Sequence, residues 1–115
     1  MNEYLILITA FISLGIMEII LGLPLFLEKV KPNWLYGFRL PSTLSKEEIW
    51  YKSNKYVGRD FVVTGILVVF VSLLLIFLKS SFSVFEIILI SIFLLTLPII
   101  IIIIRGVIFL KKLKN

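Results

Sequence analysis

The chain has 115 residues, 60% of them apolar, with a mean hydropathy of +1.12 and twelve Lys and Arg against seven Asp and Glu, a net charge of +5. Soluble domains hold roughly 45–50% apolar residues, so this composition excludes an ordinary water-soluble fold and assigns the protein to a membrane. With neither Cys nor His in the sequence, thiol nucleophiles, disulfides, Cys/His zinc sites and imidazole acid–base chemistry are all excluded.

Three apolar runs are each long enough to cross a hydrocarbon core of about 30 Å. The first extends over about Tyr4–Leu27. It lacks a basic leader and a small-residue cleavage site, so it is expected to be retained as a span and not removed as a signal peptide. Gly15 and Gly22 flank Glu18 at i−3 and i+4, which makes that helix face narrow and open to close approach by another helix.

The segment 28–60 is the polar part of the chain. Lys31-Pro32-Asn33 is expected to stop the first helix, and Gly37 offers a flexible or positive-φ point before Arg39-Leu40-Pro41. Ser45-Lys46-Glu47-Glu48 has the spacing of a capping box, predicting a short helix that starts there, carries Trp50 and Asn54, and at Gly58 either bends or runs on into the second span. Trp34, Tyr36, Phe38, Trp50, Tyr51 and Tyr56 are rings of the kind found at headgroup depth.

The second span is expected over Phe61–Leu78 and the third over Phe82–Leu110, joined by Lys79-Ser80-Ser81 as a tight helical hairpin. The third run exceeds what a perpendicular span needs, so it tilts, bends at Pro98 or extends past the interface. Small or polar residues recur at spacings of seven, at Gly58, Gly65 and Ser72 and again at Ser91, Pro98 and Arg105, predicting inward faces. The expected architecture is an all-α integral membrane protein of one domain, 1–115, with three transmembrane helices and a structured cytoplasmic loop containing a short interfacial helix.

Orientation follows from Lys and Arg. Seven lie in the first loop and three in the tail, against Lys79 alone on the opposite side, so the amino terminus is expected outside and the loop and carboxyl tail in the cytoplasm. The basic excess is thus a topology signal, and the partner it implies is the lipid bilayer and not nucleic acid.

Two ionisable residues, Glu18 and Arg105, fall within spans, where each costs at least ~2.5–3.5 kcal/mol. Both lie toward the same membrane face. The plain expectation is a buried Glu18–Arg105 ion pair, which Arg59 and Asp60 can join; the functional alternative is a proton- or substrate-linked carboxylate. Glu86, near the other end of the third span, is expected to be interfacial.

The loop also has two readings. As a connector it needs only aromatics and positive charge; as a recognition surface it is built around Arg39, whose planar fork binds a carboxylate or phosphate at two points. The run Pro32-Asn33, Tyr36-Gly37-Phe38-Arg39, Pro41-Ser42-Thr43-Leu44-Ser45, Glu48-x-Trp50 and Ser53-Asn54-x-x-x-Gly58 resembles the signature of the SdpI family, with Leu40 where that family usually has Thr and Asn54 where it often has His. The resemblance implies a small multi-pass membrane protein of immunity to a peptide toxin. In the founding system the toxin-engaged protein also holds a transcriptional repressor at the membrane, which implies a cytoplasmic regulatory partner. It carries motif roles onto Asn33, Tyr36, Gly37, Arg39, Pro41, Thr43, Glu48, Trp50 and Asn54.

No catalytic constellation, cofactor motif or metal-ligand spacing is visible, and the expected function is non-enzymatic. One alternative is a small proton-coupled transporter using Glu18, of the small multidrug resistance type, although such proteins use four spans and short loops. Another is an accessory subunit of a larger membrane complex. Three helices bury little on their own, so a homo-oligomer is compatible with the sequence.

Overall fold

The computed structural model describes residues 2–114. It consists of α1 (Glu3–Phe26), α2 (Pro41–Ser45), α3 (Glu47–Leu78), a 3₁₀ turn at Lys79–Ser81, and α4 (Val84–Lys114), with no strand among the described residues. Helices α1, α3 and α4 are each long and apolar enough to cross a membrane, as the three apolar runs predict. Ile6, Ile20, Phe70, Phe85 and Ile100 all point outward, an arrangement that suits lipid and not water.

Both ends of α1 and the start of α4 have a specific cause. The Asn2 side chain accepts the Leu5 N–H at 2.9 Å and caps α1. At the other end the Glu28 N–H donates to the Leu25 carbonyl and the Lys29 N–H to the Pro24 carbonyl, with Glu28 at φ +59. This is a Schellman stop with Glu in place of the usual glycine, and it ends α1 before Lys31-Pro32 is reached. The Ser45–Glu48 capping box does not form: Ser45 is the last residue of α2 and its hydroxyl donates to the Ser42 carbonyl, while Glu48 pairs with Lys52. The same S-x-x-E spacing is used at Ser83–Glu86, where Ser83 Oγ accepts the Glu86 N–H at 3.1 Å and starts α4. Helix α4 therefore begins at Val84.

Helix α3 continues without interruption through Gly58 for 32 residues. Its contact with α1 explains why a glycine is needed there. A Cβ on Gly22 would lie 2.7 Å from the Gly58 carbonyl oxygen, and one on Gly58 2.7 Å from that of Gly22; Gly15 and Gly65 are related in the same reciprocal way. The two antiparallel helices thus touch backbone to backbone at two levels seven residues apart, which places Ile8 opposite the region of Ser72, both fully buried. Ser72 and Ser91 satisfy their hydroxyls on the carbonyls four residues earlier, at 2.7 and 2.6 Å.

Helix α4 packs mainly on α3 and little on α1. Its buried line is Ile87, Ser91, Ile102, Gly106 and Leu110. The expected stripe of Ser91, Pro98 and Arg105 is therefore corrected: Arg105 is on the exposed flank and Gly106 faces inward, against Val57 and Phe38. The buried residues run in steps of four (Ile87–Ser91 and Ile102–Gly106–Leu110), which turns the contact line in the opposite sense to a seven-residue count and leaves Arg105 to one side of it.

Candidate functional site

Most of the motif residues converge on one structure, the fold of the loop between α1 and α3. Asn33 Oδ1 accepts the N–H groups of Leu35 and Tyr36 at 2.9 and 2.7 Å while its Nδ2 donates to the Lys31 carbonyl, closing an Asx turn. The turn sends Tyr36 back toward α1, where its hydroxyl donates to the Leu21 carbonyl; burial pushes that phenol's pKa up, in keeping with its use as a donor.

Gly37 follows at φ +120, a conformation that L side chains rarely adopt. It is also pressed against Asn54 and Trp50, and a Cβ there would lie 2.8 Å from Asn54 Oδ1. Asn54 is almost fully buried and holds both sides of the next residue's backbone. Its Oδ1 accepts the Phe38 N–H at 2.6 Å, and its Nδ2 donates to the Trp50 carbonyl at 3.0 Å and approaches that of Phe38 at 3.4 Å. The Thr43 hydroxyl accepts the Leu40 N–H at 2.8 Å and lies 2.9 Å from the Phe38 carbonyl, which starts α2. Trp50 is wholly buried, with Nε1 donating to the Val30 carbonyl at 2.8 Å, so it is a strut of the loop and not an interfacial anchor. Phe38 likewise packs inward against Gly106.

These contacts leave a second group facing outward. Arg39 and Pro41 line a shallow groove with Trp34, Leu40, Leu44 and Ser45, and the Arg39 guanidinium has no hydrogen-bond or ion-pair partner among the described residues. Trp34 and Leu35 beside it are 78% and 91% exposed. Glu48 is exposed too, and the hydrogen bond from Lys52 at 2.7 Å lowers its carboxyl pKa. On its inner side the loop roofs an apolar cavity of about 290 Å³ among Leu21, Leu25, Phe61, Ile99 and Ile102.

The two intramembrane charges are partnered differently from expectation. Arg105 makes a forked contact with Asp60, Nε to Oδ2 at 2.8 Å and Nη2 to Oδ1 at 3.4 Å, and Arg59 reaches the same carboxylate at 3.8 Å. Glu18 instead receives the Thr64 hydroxyl at 2.9 Å. The cause is register: the glycine contacts set Glu18 level with residues 61–64 of α3, whereas Gly106 against Val57 sets Arg105 level with 57–60. Glu18 lies about one turn deeper. The Glu18–Arg105 pair is therefore replaced by Asp60–Arg105, within a cluster where Tyr56 stacks on Phe109 at 4.2 Å and both guanidiniums lie about 5 Å from the Tyr56 ring. Nothing in the sequence pattern marked Thr64 or Phe109; both contacts exist only across helices.

Asp60→Asn is accordingly expected to lower the melting temperature in detergent by leaving Arg105 without its counter-ion. The double change Asp60→Asn/Arg105→Gln should recover part of the loss. Strictly additive losses, or a larger loss from Glu18→Gln than from Asp60→Asn, would contradict this pairing.

The family model described as the SdpI/YfhL protein family matches residues 29–109, from the start of the motif loop to near the end of α4. No curated protein and no solved structure matches the chain.

Proposed function

The chain belongs to the SdpI/YfhL family, and from that premise we propose that it is a non-enzymatic membrane protein conferring immunity to a peptide toxin through the loop surface around Arg39. The observation that carries the proposal is the division of labour within the motif. Asn33, Tyr36, Gly37, Thr43, Trp50 and Asn54 are spent on fixing the loop, and the rigidity they create holds at its surface an exposed Trp34 and the Arg39 guanidinium, unpartnered among the described residues. A passive connector has no need of that many interlocking contacts. A preformed site does, because immobilising the loop beforehand reduces the entropy lost on binding. A carboxylate on the toxin, or on a cytoplasmic regulatory partner docking at the same face, has the geometry to take both prongs of Arg39.

The test is to delete the gene, challenge the cells with peptide toxins encoded nearby or made by competing strains, and complement with variants. Arg39→Lys keeps the charge but loses the fork, and protection is expected to fall at least about tenfold at equal membrane abundance, as losing a bond worth ~1.4 kcal/mol implies. Full protection by Arg39→Lys would reduce the loop to a connector. Glu18 motivates a second reading, a proton-coupled transporter, because its hydrogen-bond partner is a neutral hydroxyl and not a cation. Glu18→Gln separates the two readings: immunity through the loop tolerates it, and proton coupling does not.

The proposal places the loop and carboxyl tail in the cytoplasm, supported by the Lys/Arg asymmetry. Cysteines introduced at Ser42 and Ser80 should then label from opposite sides of the membrane. Reaction of Ser42→Cys with an impermeant reagent in intact cells would invert the topology.

A further inference from the structure

At the membrane-interface end of α3, on the flank away from the apolar cavity, is a second groove of about 230 Å³ lined by Phe26, Lys52, Lys55, Tyr56, Arg59 and Phe109. Three aromatic rings from three helices form its walls. Lys52, Lys55 and Arg59 follow one stripe of α3 at i, i+3 and i+7. Lys55 lies 5.7 Å from the centre of the Phe26 ring and Arg59 5.0 Å from that of Tyr56, so both charges are held at the groove and not splayed into solvent.

The charge balance there is incomplete. Lys52 is neutralised by Glu48 and Arg105 by Asp60, at 2.7 and 2.8 Å, while Arg59 shares that same Asp60 only at 3.8 Å and Lys55 has no carboxylate within ion-pair distance among the described residues. Four cations face two carboxylates. Like charges four residues apart on a helix repel, and Lys55 and Arg59 are such a pair. An anion between them would remove the repulsion.

We propose that this groove binds an anionic phospholipid, with the phosphate between Lys55 and Arg59 and the first carbons of an acyl chain along Phe26, Tyr56 and Phe109. The lipid source is favoured over a soluble anion for two reasons. The groove lies where α3 and α4 enter their apolar stretches, at headgroup depth, and its walls are aromatic, which suits the amphipathic junction of a lipid and offers a free phosphate nothing. The assignment is independent of the Arg39 surface, which lies in a different groove.

The experiment uses the full chain in detergent, reading lipid retention by native mass spectrometry and melting temperature on addition of phosphatidylglycerol or phosphatidylcholine. The parent should retain phosphatidylglycerol and gain thermal stability from it, and do neither with phosphatidylcholine. Lys55→Gln should weaken retention about 5-fold and Lys55→Gln/Arg59→Gln about 30-fold, the effect of losing one and two basic side chains beside an anionic lipid. Both residues are exposed, so the single variant should fold even if the double does not. Lys31→Gln/Lys46→Gln removes the same charge from the same side of the membrane outside the groove, and should retain the lipid like the parent. Equal retention of both lipids would overturn the proposal, as would equal loss in the Lys31/Lys46 control. If inorganic phosphate displaces phosphatidylglycerol and stabilises the protein as well as the lipid does, the ligand is a soluble anion and the lipid assignment fails.

Discussion

Gly22→Val is expected to separate α1 from α3 and to destabilise the protein by about 3 kcal/mol or more, the upper end of overpacking costs. The reason is what the new side chain would meet. Even its Cβ would lie 2.7 Å from both the Gly58 carbonyl oxygen and the Phe61 Cβ, and 3.1 Å from the Val62 nitrogen. Backbone atoms cannot rotate away as a side-chain tip can, so the helices must move apart. Replacing glycine within a helix otherwise helps, by up to ~1 kcal/mol for alanine, so a loss at Gly22 comes from the interface and not from propensity. Gly106→Val is the matched control. Its Cβ would meet Val57 Cγ2 at 3.0 Å and Phe38 Cζ at 3.3 Å, both of them side-chain atoms that can give way. Melting of the two variants in the same detergent checks the comparison, and equal midpoints would show that the α1–α3 contact is not glycine-dependent.

Trp50→Ala should open the loop, at a cost of about 3–5 kcal/mol, while leaving the three long helices formed. The indole is fully buried, its Nε1 ties α3 to the Val30 carbonyl, and its ring is the surface against which Gly37 is pressed. Asn54→Leu should act on the same unit more mildly, by about 1–3 kcal/mol, because it leaves the Phe38 N–H without its acceptor. The two residues share Gly37 and are joined by the Asn54 Nδ2 bond to the Trp50 carbonyl, so the changes should be less than additive in combination. The readout is trypsin cleavage after Arg39, which requires a locally opened loop, beside helical circular dichroism, which reports the spans. Faster cleavage at unchanged helicity is the expected result; cleavage no faster than in the parent would mean that the loop's order does not depend on Trp50.

The sequence by itself determined whatever rests on long apolar runs and on local chemistry. The three spans, the short turn after Leu78, and the family resemblance carried by Tyr36-Gly37-Phe38-Arg39 through Asn54 were legible because hydropathy and motif order need no knowledge of neighbours. The narrow faces at Gly15, Gly22, Gly58 and Gly65 were legible as candidates for close approach for the same reason. Only the tertiary structure decided which glycine meets which, and the rest followed from that register. Opposing Gly22 to Gly58 places Glu18 beside Thr64, and setting Gly106 on Val57 leaves Arg105 to Asp60, so two charges that share a membrane face in the sequence are kept apart by about one helical turn. The loop shows the same division. Composition marks its aromatics as headgroup anchors, but Trp50 is buried because the Asx turn at Asn33 and the left-handed Gly37 fold the chain back over α3, and that return path depends on contacts about 16 to 20 residues apart that no local pattern encodes.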